Sequence, residues 1–149
     1  MTIELQAQWV VGFVDGEGCF SANVCKNPTC KFGYQIQVTF TVTQHKRDVQ
    51  LLYALKKLFC CGDVSVAKVP TQTNYYRFRV RKLDHILDNV IPFFEKHCLK
   101  TKKNVEFKRF RKLCFLLKQK VHHEQEGFEQ CVKLTKMLPL DTNPNETEL

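Results

Sequence analysis

Residues Trp9 to Phe20 read WVVGFVDGEGCF, and few backbones accommodate that string. Trp9, Val10, Val11, Phe13 and Val14 form an apolar run, with Gly12 and Gly16 one helical turn apart. Each glycine costs a helix roughly 1 kcal/mol against alanine. That cost is understandable where another backbone must come close, because a missing Cβ lets two helix axes approach. Asp15 and Glu17 then alternate with Gly16 and Gly18, and from Cys19 the pattern becomes strand-like. Gly18 suits a left-handed C-cap that turns the chain sharply from helix into strand. The expected product is a helix tip packed on a partner, with two carboxylates beside open backbone carbonyls. Oxygen donors of this kind suit Mg²⁺, which takes one or two carboxylates, several waters and substrate phosphate oxygens.

Upstream, Thr2 is placed to cap this first helix, which is expected to run to about Gly16. Downstream, Phe20, Ala22 and Val24 alternate with Cys19, Ser21, Asn23 and Cys25, the period of a half-buried strand. After a turn at Lys26–Thr29, Tyr34–Thr43 repeats the pattern. Ile36, Val38, Phe40 and Val42 take one face; Gln35, Gln37, Thr39 and Thr41 take the other. Amides and hydroxyls without charge on a β-ribbon can read base edges in a major groove. His45–Phe59 is amphipathic, with Val49, Leu52, Leu55, Leu58 and Phe59 spaced for one buried side, and Cys60-Cys61-Gly62 ends it.

Two more strands are expected, Asp63–Val69 and Tyr75–Arg81, joined by a turn with Pro70. In the second, Phe78 and Val80 point inward and Arg77, Arg79 and Arg81 outward. Three arginines on one strand face repel each other unless something anionic neutralises them. Leu83–Phe94 predicts a helix that Pro92 breaks or kinks. Leu99–Lys118 predicts another, capped by Thr101, with Val105, Phe110, Leu113, Cys114 and Leu117 as its apolar stripe. A short helix is expected at Gly127–Leu138. The order α-β-β-α-β-β-α-α describes one α+β domain over residues 1–138 with a four-stranded antiparallel sheet and helices on its opposite face. Residues 139–149 are expected to be a flexible tail.

Charge narrows the partner. In 149 residues, 23 Lys and Arg outweigh 15 Asp and Glu, for a net charge of +8. From Arg77 to Lys120 there are 14 basic and 4 acidic residues, a clustering that suits a polyanion. The eight cysteines contain no C-x-x-C pair, and His122-His123 stands far from any cysteine pair, so no zinc pattern emerges. The N-terminus lacks the blocks of a signal peptide, and no apolar run reaches the roughly 20 residues of a membrane span. Reduced thiols, an intracellular location and no membrane partner are expected.

Val10–Gly18, VVGFVDGEG, resembles the signature of the LAGLIDADG homing endonucleases, and the order of elements is similar to that family's core. Gln44 in FTVTQ falls at the family's polar, water-positioning site, and Lys100 in HCLKTKK at its basic active-site residue. The resemblance implies metal binding by Glu17 and the Gly16 carbonyl, with Asp15 serving helix packing and capping. The namesake pattern has Asp where this chain has Glu17, which alters the ion's position by a methylene. One signature per chain implies a homodimer, with Trp9, Val10, Gly12, Phe13 and Gly16 at the two-fold.

The implied activity is Mg²⁺-dependent, site-specific cleavage of both strands of a long, nearly palindromic DNA target, with Mn²⁺ or Ca²⁺ as further ions that bind. Glu17, Gln44 and Lys100 are the expected catalytic residues. Ser21, Asn23, Gln35, Gln37, Thr39, Thr41, Ser65, Arg77 and Arg79 are the expected DNA contacts. Promotion of intron mobility would place the protein in a chloroplast or mitochondrion, and otherwise in the cytoplasm. The alternatives are an RNA maturase that assists intron splicing and a noncatalytic DNA-binding regulator on the same fold.

Overall fold

Alternating side chains over Gly18–Lys26 (β1) and Tyr34–His45 (β2) put phenylalanine and valine on one side of a long antiparallel hairpin. The computed structural model of the chain describes residues 3–68 and 74–140. The hairpin turn closes on Asn27, whose Oδ1 accepts from the Thr29 N–H (3.1 Å) and hydroxyl (2.7 Å). Gly33 supplies the positive φ of +76° that returns the chain to β2. β3 (Asp63–Val66) and β4 (Tyr75–Val80) complete the sheet in the order β1-β2-β4-β3, every neighbouring pair antiparallel.

Helices cover one face: α1 (Ala7–Glu17), α2 (Val49–Phe59), α3 (Leu83–His85), α4 (Ile91–Lys96), α5 (Lys103–Lys118) and α6 (Gln125–Lys136). Between them and the sheet lies a phenylalanine core. Phe20, Phe40, Phe78, Phe94 and Phe110 are all fully buried, and the Phe20 and Phe40 rings lie 5.0 Å apart. Burying side chains of this size contributes roughly 1.5–3 kcal/mol each. All eight cysteines are free thiols.

The structure corrects several sequence expectations. Thr2 lies outside the described residues, and α1 begins at Ala7, with Gln6 as N-cap and no side-chain capping bond. Gly18 has φ −83°, extended rather than left-handed. Glycine is needed there for space, because an added Cβ would sit 2.6 Å from Val14 Cγ1. β2 runs on to His45, and a 3₁₀ turn, Lys46–Asp48, precedes α2. Leu58 is exposed rather than buried. β3 ends at Val66; Val69 of the expected third strand and Pro70 of the expected turn lie outside the described residues.

Pro92 does not break its helix. A π turn at Ile86–Val90 precedes it, the Ile91 N–H donating to the Ile86 carbonyl, and helix continues to Lys96 with Pro92 in its first turn. On α5, Val105 is exposed and Phe107 takes the buried position. The last helix begins two residues early, at Gln125. Of the expected tail, Pro139 touches the sheet edge, its carbonyl accepting from the Ala22 N–H at 3.1 Å; 141–149 lie outside the described residues.

Gly127 locks α6 onto the 3₁₀ turn Val121–His123, because a Cβ there would collide with the Val121 carbonyl. Gly127→Ala is therefore expected to cost about 3 kcal/mol, the upper end for overpacking. The loss should appear as a lower denaturation midpoint in urea with an unchanged m-value.

Candidate active site and nucleic-acid interface

The two faces of α1 divide its residues cleanly. Val10, Val11 and Val14 are buried in the chain's own core, Val10 at 0% exposure. The opposite face carries Trp9, Gly12, Phe13 and Gly16 at the i, i+3, i+4, i+7 spacing of one helix stripe. Trp9 is 44% exposed and stacks on Phe13 with ring centroids 4.9 Å apart. A Cβ added at Gly12 or Gly16 meets nothing within 4 Å. Val10 therefore leaves the expected interface set, since it already serves the internal core. Trp9, Gly12, Phe13 and Gly16 remain a continuous open stripe.

At the tip of α1 the two acids part company. Asp15 faces the segment before α5. Its Oδ2 accepts from the Lys100 N–H at 2.8 Å, and its Oδ1 from the Thr101 N–H (3.2 Å) and hydroxyl (2.8 Å). Partial burial works against its charged form, but these bonds, with the Lys100 charge, outweigh it and hold the carboxyl below its ordinary range. Asp15 thus clips two segments that lie 85 residues apart in the chain. Glu17 and the Gly16 backbone, by contrast, are exposed.

Oxygen donors of Glu17 and Gly16 match the hard-ligand preference of Mg²⁺. One chain supplies only part of a site, however. Among the described residues no group of three or more His, Cys, Asp or Glu side chains converges as a metal cage. The two oxygen donors fit a hard divalent ion.

The last rung of the β1–β2 ladder is Gly18–Val42, and Gln44 lies two residues further along β2. It is half-buried, its Nε2 donating to the Thr43 carbonyl at 2.8 Å. The two lysines near the tip differ in what they touch. Lys100 has an exposed side chain and contributes its backbone N–H to Asp15. Lys103 reaches inward, its side chain only 19% exposed, with Nζ 2.6 Å from the Gly18 carbonyl and 3.7 Å from Glu106 Oε2. It is thus the lysine held at the residue next to Glu17.

Lys103 was absent from the expected site. The signal that identifies it is helical register: Lys103 stands one, two and three turns before Phe107, Phe110 and Cys114, in line with the buried stripe of α5. A basic residue on an apolar stripe needs a partner.

The sheet face away from the helices carries the polar rows. Cys19, Thr41, Arg79 and Asp63 line up across the four strands, and Thr43, Arg77 and Ser65 form the next row. Arg77 and Arg79 therefore share this face, while Phe78 enters the core. Accessibility along the face is uneven. Gln35 and Ser65 are exposed, and Gln37, Thr41 and Arg79 are half-buried. Ser21, Asn23 and Thr39 are buried, and Arg77 is 8% exposed. The Ser21 hydroxyl donates to the Thr39 carbonyl at 3.4 Å, so these residues form the floor of the face. Thr41 Oγ1 is enclosed with no hydrogen-bond partner among the described residues.

Among the described residues no helix is long and apolar enough to cross a membrane. The model of the LAGLIDADG endonuclease family matches residues 10–114, from the signature helix through most of α5. The crystal structure of the homing endonuclease I-TnaI superposes with a TM-score of 0.86 at 43% identity, over 96% of this chain and 94% of that one. I-LtrWI, a LAGLIDADG homing endonuclease bound to target DNA, superposes with a TM-score of 0.83 at 29% identity, over 93% of this chain and 45% of its own. The probable intron-encoded endonuclease 3 of Neurospora crassa is 32% identical over 136 residues, covering 89% of this chain and 24% of its own length. The chain spans about a quarter of the first curated relatives it matches, at 27%, 24% and 27% of their lengths. The chain belongs to the LAGLIDADG endonuclease family.

Proposed function

We propose that the chain acts as a homodimeric, divalent-metal-dependent endonuclease that cuts both strands of a nearly palindromic DNA site and promotes intron mobility. The carrying observation is the division of labour at the tip of α1. Asp15 is consumed by the clasp to α5, whereas Glu17 and the Gly16 carbonyl stand open beside a bare glycine stripe. Pairing two such stripes about a two-fold axis brings Glu17 next to Glu17 of the partner subunit. Symmetric subunits suit a symmetric duplex.

Glu17, the Gly16 carbonyl and Glu17 of the partner subunit would hold Mg²⁺ there, with Mn²⁺ or Ca²⁺ as further ions that bind. The chemistry supplied by a bound divalent ion is Lewis acidity, which favours a water nucleophile at neutral pH and offsets charge on phosphate oxygens. Gln44 orients the attacking water through its amide. Lys103, anchored on the Gly18 carbonyl, supplies positive charge at the tip, where negative charge develops on the phosphate. Arg77, Arg79, Gln35, Gln37, Thr41 and Ser65 present donors to phosphates and base edges, over a floor of Ser21, Asn23 and Thr39. Intron-encoded relatives support an organellar setting, in a mitochondrion or chloroplast.

The test is cleavage of a duplex carrying the intron-insertion site, with Mg²⁺ and then with EDTA. Lys103→Met is expected to lower kcat by about 10²-fold, the scale for losing one preorganised electrostatic group. Lys100→Met, which keeps its backbone N–H to Asp15, should change kcat by less than about tenfold on the same scale. Cutting unaffected by EDTA would exclude the metal-dependent reading. A reversed order of the two lysine variants would return the catalytic role to Lys100.

A further inference from the structure

Beyond Phe40 the sheet forks. β2 continues against β1 back to Tyr34, while β4 ends at Val80 and the chain leaves through Lys82 into α3. Over Tyr34–Thr39, the side of β2 turned away from β1 has no strand partner among the described residues. A cleft of about 1240 Å³ occupies this fork. That exceeds the roughly 300–1,000 Å³ typical of small-ligand sites.

Its walls differ in chemistry. One is the bare β2 edge with Gln35 and Gln37; the other is the turn between α5 and α6, with Lys120, His122 and His123. The floor is apolar, made by Ile36, Val80, Leu117 and Phe128. Phe128 packs on Phe32 with centroids 5.2 Å apart. Lys31 closes that corner, its Nζ donating to the His123 carbonyl at 3.1 Å while lying 5.6 Å from the Phe32 ring centre. Lys82 and Lys120 stand exposed at the rim, where Asp63 and Glu124 are the acids.

A ligand for this cleft needs three properties: a flat apolar body for the floor, hydrogen-bonding edges for the open strand, and negative charge for the rim. An unpaired nucleotide has all three. A duplex laid on the outer face meets Gln35, Gln37 and Arg79 but cannot follow the fork down to Leu117 and Phe128, which belong to the helix layer. We propose that the cleft binds single-stranded nucleic acid, with a base on the Phe128–Leu117 floor and its phosphates at Lys82 and Lys120. Neither a metal nor Glu17 takes part, so a failure of the cleavage reading leaves this binding intact.

The probe is a fluorescein-labelled four-nucleotide single strand carrying one 5-iodouracil base, made as DNA and as RNA. It is read by anisotropy and by photocrosslinking with peptide mapping. Crosslinks to the peptides containing Phe32 or Phe128, from either sugar, are expected. The exposed-site double variant Lys120→Ala/His123→Ala should weaken binding about tenfold, a loss of the order of one base-stacking or phosphate contact. Lys82→Glu should weaken it at least as much, and Glu17→Gln should leave it unchanged. Crosslinks confined to Thr39–Thr43 or Arg77–Arg79, or unchanged affinity in both rim variants, would overturn the proposal.

Discussion

Glu17→Gln is expected to lower cleavage of both strands by about 10³-fold, the upper end for removing one preorganised electrostatic group, because a dimer loses it twice. Duplex affinity should stay within about twofold, since the charge that binds the duplex lies on the sheet and not at the tip of α1. The substitution keeps side-chain length and changes only charge. Glu17 is exposed, while Val14 below it carries the packing, so folding is not at stake. Surface changes of this kind are usually worth within about 0.5 kcal/mol. Cleavage is measured by single-turnover kinetics on a linear duplex carrying the insertion site, and affinity by anisotropy on the same duplex in Ca²⁺. Full cutting by Glu17→Gln would remove the carboxylate from the mechanism. Lost cutting together with lost binding would move its role to the interface.

The elements that sequence patterning identified are those whose signal is local. Period-two alternation placed β1, β2 and β4, because burial of Phe20, Phe40 and Phe78 decides the register of a sheet covered on one side, but at the end of β1 Val24 is exposed and Cys25 buried. The signature helix was equally legible, since its glycines and acids cluster within two turns. What escaped depends on contacts between distant segments. Asp15 meets Lys100 and Thr101 only through the fold, and that clasp turns Lys103, rather than Lys100, toward Gly18.

Curvature also escaped. Alternation puts Ser21, Asn23 and Thr39 on the outer face, but whether a residue there is rim or floor depends on its neighbours across the strands. Gly18 shows the same limit, because its need for space comes from Val14 folding back on it and not from its dihedral angles. Val105 and Leu58 fit an apolar stripe in sequence, yet both are exposed in the fold.

Gly12→Ala is expected to act in opposite directions on the monomer and the dimer. Within one chain, a Cβ at Gly12 has open space, with nothing within 4 Å. Alanine should therefore stabilise the isolated helix by about 1 kcal/mol, its propensity advantage over glycine. In the proposed dimer the same methyl enters the seam where two α1 helices cross and holds their backbones apart. Overpacking of a close interface costs typically 1–3 kcal/mol per site, and two-fold symmetry places the change on both sides of the seam. The dimer dissociation constant should rise at least about tenfold, which corresponds to roughly 1.4 kcal/mol. Sedimentation equilibrium reads that constant, and denaturation of dilute monomer reads the stability. Cleavage of both strands should fall with the dimer and recover at high protein concentration. Gly12→Ala that stabilises the monomer and leaves association untouched would show that the open glycine stripe is not where two copies meet. The site at Glu17 would then need its second carboxylate from elsewhere.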